Sequence, residues 1–166
     1  MTASVHGLPG WSGGDSADLR AFCGHCGREP DPAQAPVGAT RVCSHCDLGL
    51  VLEASADVAP APSDPFLVVD HRMAICALSA AAEQLLGIDE TAAVNRHLGE
   101  FLLPADANAN GGGSLIELVL SAASGQPGDG DVPRVRVRPL GVFGVRFSAR
   151  IGRCGPAPSA IVVLEG

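Results

Sequence analysis

The chain has 166 residues, enough for one ordinary domain and a small extra module. Its formal net charge is −7, and all eleven basic residues are arginine, because the sequence contains no lysine. A phosphate-binding loop of the Walker type and Schiff-base catalysis both need a lysine, so both are excluded. No apolar run approaches the ~20 residues of a membrane helix, and we expect no contact with a membrane.

The first segment, residues 1–19, is rich in glycine, serine and aspartate, which predicts a disordered tail. It has no basic residue and no continuous apolar stretch, so it does not resemble a secretory signal. We expect a cytoplasmic protein.

Two C-x-x-C knuckles lie in the second segment, residues 20–53. They are Cys23-Gly24-His25-Cys26 and Cys43-Ser44-His45-Cys46. Paired knuckles with this separation are typical of a zinc ribbon, in which four thiolates hold one zinc ion in a closed tetrahedron. We predict that this zinc is structural, because four protein ligands leave no position open for a substrate. The predicted ligands are Cys23, Cys26, Cys43 and Cys46.

Alternatives stay open for this segment. C-x-x-C motifs also form redox couples, although these usually occur singly. His25 and His45 could replace a sulfur ligand, but we expect their rings to point outward. Zinc ribbons often bind nucleic acid, yet the stretch from Leu19 to Glu53 holds three arginines and four acids, which is no basic footprint.

The ribbon is too small to bury a core of its own, so we expect it to unfold without metal. Reduced thiols suit a reducing compartment, which again favours the cytoplasm. Residues 54–63 contain repeated Ala-Pro pairs and predict an extended linker.

The third segment, residues 64–166, begins with a predicted β-hairpin. Its strands are Phe66–Asp70 and Met73–Leu78, with turn residues between them. Ser79 is the expected N-cap of a helix that ends at Gly87. Asp89 can cap a second short helix.

A second group of elements follows. Residues 105–114 predict a loop, and Ser114 can cap a helix over Leu115–Ala123. After a loop over residues 124–131 we predict three strands. They are Arg134–Arg138, Val145–Ile151 and Ala160–Leu164, with a turn at Cys154–Pro158.

The arginines and two further cysteines of the third segment bear on function. The strict alternation in Arg134–Arg138 puts its arginines on one face, where they pair with nearby acids or bind an acidic partner. Cys76 lies among apolar residues and is expected to be buried. Cys154 lies in the predicted turn, where we expect an exposed thiol and leave a redox role open.

The order β-β-α-α-loop-α-β-β-β over residues 64–166 resembles that of a PAS domain. The strand Phe66–Asp70, Ile75 and the helix Ser79–Gly87 resemble the opening of that family. The stretches Asn95–Leu98 and Glu100–Pro104 resemble its "G-R-x-L-x-E-L-F-P" segment. The resemblance implies an α+β fold, with a five-stranded antiparallel sheet and helices across one face that enclose a pocket.

The resemblance also implies what the pocket can hold. Leu98 stands where the light-sensing members have their flavin-reactive cysteine, so that photochemistry is absent. His71 and His97 lie outside the third helix, where a haem ligand is expected, and the pocket ligand stays unknown. The candidate lining residues are Val68, Ile75, Leu85, Leu98, Leu102, Leu118, Val145, Phe147 and Val162.

The sequence therefore predicts a non-enzymatic regulatory or sensor module of cytoplasmic signalling or transcription control. It would act through a protein partner or a homodimer, with structural zinc and a PAS-type small-molecule pocket. A nucleic-acid-binding ribbon under PAS control and a redox-responsive C-x-x-C protein are the alternatives.

Overall fold

The computed structural model describes residues 18–31, 42–105, 114–125, 131–155 and 158–166. Over these ranges the chain forms one eight-stranded antiparallel sheet with a few helices, which is an α+β arrangement. The predicted tail up to residue 17 lies outside the described residues, as does most of the two loops predicted over 105–114 and 124–131.

The strands and helices of the described residues are numbered in chain order. The strands are β1 (Leu19–Cys23), β2 (Val51–Ser55), β3 (Phe66–Asp70), β4 (Ile75–Leu78), β5 (Leu102–Pro104), β6 (Arg134–Pro139), β7 (Phe147–Gly155) and β8 (Ser159–Glu165). The helices are α1 (Ala80–Leu86), α2 (Glu90–Ala93) and α3 (Leu115–Ala123), with a 3-10 turn over Leu98–Glu100.

The strands lie in the order β1-β2-β7-β8-β3-β4, and β6 pairs with both β7 and β5. The expected number of five strands is wrong. The cysteine segment supplies β1 and β2, and β2 joins the sheet through the pairs Glu53↔Gly155 and Ala54↔Cys154. The short β5 adds another strand next to β6. The cysteine segment is therefore continuous with the main sheet.

The helices pack on one face of the sheet, which we call the helix-covered face. Alternate residues of β3, including Leu67 and Val69, point to this face and are fully buried. They pack with Leu98 before β5, Val119 of α3 and Val162 of β8. This aliphatic cluster is the main core of the molecule.

The opposite, ribbon-covered face carries a smaller cluster. Phe66, Val163 and Cys154 from the main sheet pack there against Phe22 of β1 and Val58 after β2. The rings of Phe22 and Phe66 meet edge to face with centroids 5.6 Å apart. From the ribbon, Phe22 and the partly buried Leu52 pack in this cluster, whereas Val42, Leu48 and Leu50 are exposed. Contact with the sheet therefore supplies only part of the core that the ribbon lacks by itself.

The extended linker expected over residues 54–63 is wrong. Residues 54 and 55 complete β2, and a turn then brings the fully buried Val58 onto the sheet. Gly152 makes this approach possible, because a Cβ there would lie 2.7 Å from Val58 Cγ1. The Arg150 guanidinium donates to the carbonyl of Ala59 at 3.5 Å. These contacts tie the segment to β7.

The predicted hairpin is confirmed, although its second strand begins at Ile75, two residues later than predicted, and the predicted helix ends at Gly87 and Ser114 are confirmed. β3 and β4 pair antiparallel, and Ser79 Oγ accepts from the Ala82 N–H at the start of α1. Gly87 ends α1 with φ 65°, a left-handed conformation that favours glycine. Ser114 caps α3 as predicted, in a capping box with Glu117. Asp89 precedes α2, although its side chain makes no capping bond.

The two cysteines outside the knuckles exchange their expected environments. A bulge shifts the pairing of β3 and β4 from Val68↔Ala77 to Val69↔Ile75 and leaves Cys76 with no residue opposite it on β3. Cys76 is exposed. Cys154 is fully buried, because β7 runs on to Gly155 and pairs with β2. Burial raises the pKa of the Cys154 thiol to about 12, which keeps it protonated and unreactive near neutral pH.

Candidate metal centre and adjacent groove

The two knuckles have the same local geometry. In each, the N–H two residues after the first cysteine lies 3.4 Å from its sulfur, His25 to Cys23 and His45 to Cys43. The N–H four residues on closes the turn onto the first cysteine's carbonyl at 2.9 Å, from Gly27 in one knuckle and Asp47 in the other. Both closing residues have positive φ, 71° and 55°. Each C-x-x-C motif therefore forms the same type of loop, and each loop presents two sulfurs.

The four sulfurs meet between the knuckles, as the spacing predicted. The ligand atoms of Cys23, Cys26, Cys43 and Cys46 all lie within 4.8 Å of one another. The sulfurs of Cys23 and Cys46 are 3.6 Å apart, and those of Cys26 and Cys43 are 3.8 Å apart. Thiolates about 2.3 Å from a tetrahedral zinc ion lie about 3.8 Å from each other. The cluster therefore has the size of a tetrahedral metal site.

The thiols of the cluster differ in how readily they lose a proton. Burial raises the pKa of both the Cys23 and the Cys26 thiols. Burial acts the same way on Cys46, but hydrogen bonds from the backbone of Gly49 and Leu48 and from the Cys23 and Cys26 side chains together outweigh it and lower its pKa to about 7. Four thiolates so close together repel one another, and a bound metal ion displaces their protons by neutralising that charge.

Gly49 lets the second knuckle approach the first. A Cβ at this position would clash with the Cys23 sulfur and would lie 2.7 Å from the backbone nitrogen of His25. The Cys43 N–H donates to the Gly49 carbonyl at 2.8 Å. Gly49 is a site residue that the sequence analysis missed, because the C-x-x-C pattern does not include it.

The first knuckle is bonded to the main sheet and its helices. The carbonyl of His25 accepts from the N–H of Ala80 at 2.8 Å, at the first turn of α1. His25 Nδ1 is buried and lies 3.9 Å from a carboxylate oxygen of Glu90. His45 is exposed, as expected of a bystander. Neither histidine belongs to the cluster of close ligand atoms. The expectation of an outward-pointing ring is wrong for His25, whose Nδ1 is buried and whose backbone connects the cysteine cluster to α1.

An apolar groove lies between the second knuckle and the sheet, with a volume of about 630 Å³. Leu48, Leu50 and Leu52 form its ribbon wall, and Leu48 and Leu50 are 71% and 58% exposed. Asp70 and Glu90 supply the charged groups among the lining residues. The sequence analysis missed this groove, because its walls come from segments far apart in the chain.

The structure brings together seven of the nine residues predicted to line a pocket. They pack in the cluster of the helix-covered face, and they are Ile75, Leu85, Leu98, Leu102, Leu118, Phe147 and Val162. Val68 lies on the opposite face and lines the groove. Val145 is 39% exposed, because β7 begins at Phe147, two residues later than predicted.

The arginines of β6 share one exposed face of the sheet. Val137 is buried on the helix-covered face, so Arg134, Arg136 and Arg138 point the other way. Arg134 Nε lies 3.5 Å from an oxygen of Glu165. This ion pair offsets the charge of Arg134, as expected of acids near the β6 arginines.

No family model and no curated protein matches this chain. A solved structure with some similarity is the "Crystal Structure of the E.coli DhaR(N)-DhaL complex", with a TM-score of 0.38 and 18% identity. The match covers 63% of this chain and 32% of the other, so this chain spans about a third of that chain's length. Among the described helices, none has the length and apolar character needed to cross a membrane.

Proposed function

We propose that the four cysteines bind a structural zinc ion. A tetrahedral set of four sulfurs suits zinc or iron, and zinc is the usual occupant of paired knuckles in which every ligand is a thiolate. The observation that carries this proposal is the sulfur geometry, with separations of 3.6 Å and 3.8 Å across the two knuckles. All four positions around the metal are taken by protein, so the ion would stabilise the fold and would not contact a substrate.

We further propose that the protein is a non-enzymatic, cytoplasmic regulatory module that acts through protein contacts. The closed metal centre supports this role because it offers no site for catalysis. Its attachment to the main sheet also supports it, since His25 bonds to the start of α1 and β2 pairs with β7. A change in the main sheet or its helices therefore reaches the metal centre through direct contacts.

The PAS-type assignment of residues 64–166 belongs to the same proposal. It is supported by the chain order β3-β4-α1-α2-β5-α3-β6-β7-β8, in which only the short β5 is additional, and by the antiparallel pairing of β4, β3, β8, β7 and β6 in that spatial order. A ligand or partner that favours one arrangement of ribbon and sheet would shift the population between them.

Native mass spectrometry, metal analysis and an absorption spectrum of one anaerobically purified sample test the proposal. One colourless zinc ion per chain and no other bound mass support a docking module. A visible chromophore or an added organic mass would instead support a sensor. Metal-free protein with disulfides between the knuckle cysteines would contradict the proposal.

A further inference from the structure

The connection between β6 and β7 is an exposed apolar tip, which we call the hairpin tip (residues 140–145). Phe143 is 90% exposed, and Leu140 is 53% exposed. Gly141 and Gly144 have positive φ of 81° and 80°, which keeps this connection in a turn conformation that side chains disfavour. A solvent-exposed phenylalanine on a shaped turn is typical of an anchor that fills a pocket on a partner.

The charges at the hairpin tip and in the groove are opposite. Arg138 and Arg146 flank the tip at its two strand ends, and the stretch from Arg138 to Phe147 contains no acid. The groove carries the carboxylates of Asp70 and Glu90 and has no basic residue among its lining residues. The two surfaces therefore match in apolar character and in charge.

The hairpin tip of a chain cannot fill the groove of the same chain. The tip precedes Phe147, at the start of β7, whereas Gly155 at the other end of β7 lines the groove. A strand of this length spans about 26 Å at about 3.3 Å per residue. The groove is therefore open to the tip of a second copy of the chain.

We propose that the protein forms a two-fold dimer in which Phe143 of each chain inserts into the groove between the second knuckle and the sheet of its partner. The contact is reciprocal, so each dimer contains two such insertions. The dimer does not depend on the proposed regulatory role, and the association state alone tests it.

Sedimentation velocity of wild-type protein and two single variants tests the dimer. Phe143→Ser removes the anchor, and Leu48→Glu places a charge in the ribbon wall of the groove. Each variant should raise the dimer dissociation constant by at least about tenfold. Ile116→Ser is the matched control, since Ile116 is 49% exposed on α3 outside both surfaces, and it should leave the dimer intact.

Mixing the two defective variants gives the sharpest result. A Leu48→Glu chain still has its anchor, and a Phe143→Ser chain still has its groove. The 1:1 mixture should therefore form a heterodimer with one intact insertion, although each variant alone is mainly monomeric. The zinc content of Leu48→Glu is measured alongside, and a normal value shows that the knuckle is intact.

Several results would overturn the proposal. Wild-type protein that stays monomeric up to about 0.5 mM would do so. A dimer that both variants leave unchanged would also overturn it, as would a mixture that forms no heterodimer. Binding of wild-type monomer to anionic vesicles, lost in Phe143→Ser, would assign the tip to a lipid surface instead.

Discussion

The helix-covered face of the sheet is filled by large aliphatic side chains, whereas the ribbon-covered face has few of them and borders a cluster of four cysteines. Leu67, Leu98 and Val162 are fully buried on the first face. On the second, Phe22 and Val58 supply most of what the ribbon contributes. Apolar burial stabilises the first face by itself, whereas the metal ion proposed for the cysteine cluster would be a second source of stability for the other.

Loss of the metal should produce the largest difference in stability between the two faces. Cys43→Ser removes one ligand, and zinc sites of this kind contribute on the order of 10–16 kcal/mol of apparent binding free energy. We expect the variant to lose its metal and its ordered ribbon while the helix-covered core stays folded. Metal analysis and circular dichroism measure this. Cys76→Ser, which changes an exposed cysteine outside the cluster, is the control and should retain the metal.

A cavity in the main core should instead destabilise both faces together. Leu98 is fully buried on the helix-covered face, so Leu98→Ala should cost about 2–5 kcal/mol of unfolding free energy. Urea unfolding, monitored by the release of the metal, should show one common transition for both faces. Ile116→Ala, at an exposed position, should change the free energy of unfolding by less than about 0.5 kcal/mol. A ribbon transition that does not move in Leu98→Ala would show that the faces are independent.

Alkaline pH should weaken the ribbon-covered face through Cys154. Its pKa is raised from 9.0 to about 12, mainly by burial, so the unfolded chain loses this proton first as the pH rises. Stability is therefore full below pH 9 and should fall by up to about 1.4 kcal/mol per pH unit between those values. The chain has neither lysine nor tyrosine to titrate in this window. Burial also raises the pKa of the Cys76 thiol, so the measurement is made in a Cys76→Ser background. Urea unfolding across this pH range should then show the slope, and adding Cys154→Ala should reduce it.

The contact between Gly152 and Val58 tests how tightly the second face is packed. Gly152→Ala places a methyl group 2.7 Å from Val58 Cγ1 and should cost about 1–3 kcal/mol. Val58→Ala removes the obstructing atoms but leaves a cavity. In thermal unfolding the double variant should therefore lose less stability than the two single losses added together. Simple additivity would contradict the packing described for this segment.

The smallest expected effect is the difference in lost stability between variants of two helix-capping serines. Ser79 is buried and also accepts from the Phe66 N–H at 2.9 Å, whereas Ser114 is exposed. Ser79→Ala should cost up to about 2 kcal/mol, and Ser114→Ala about 0.5–1 kcal/mol. Thermal unfolding compares the two variants directly. Equal losses would contradict a second role for the Ser79 hydroxyl.

Local signals in the sequence predicted much of the helix-covered face. Ser79, Gly87 and Ser114 are short-range capping signals, and they mark the helix ends that the structure has. The C-x-x-C spacing likewise identified four cysteines that come together. Each of these predictions depends on residues within a few positions of one another, or on a motif with one chemical use.

The ribbon-covered face could not be predicted in the same way. A bulge exposes Cys76, and the pairing of β2 with β7 buries Cys154, and neither event leaves a local signal. Gly152 and Val58 are far apart in the chain, so their contact gives no pattern. The Ala-Pro composition of residues 54–63 suggested a spacer, and burial of Val58 overrode that local preference.

Hydrogen exchange of metal-loaded and metal-depleted protein, measured by mass spectrometry, tests whether the ribbon depends on the metal. Metal depletion should remove protection from residues 18–31 and 42–55, while β3, β8 and α3 remain protected. Unchanged protection of the ribbon, or equal loss of protection in all of these elements, would contradict it.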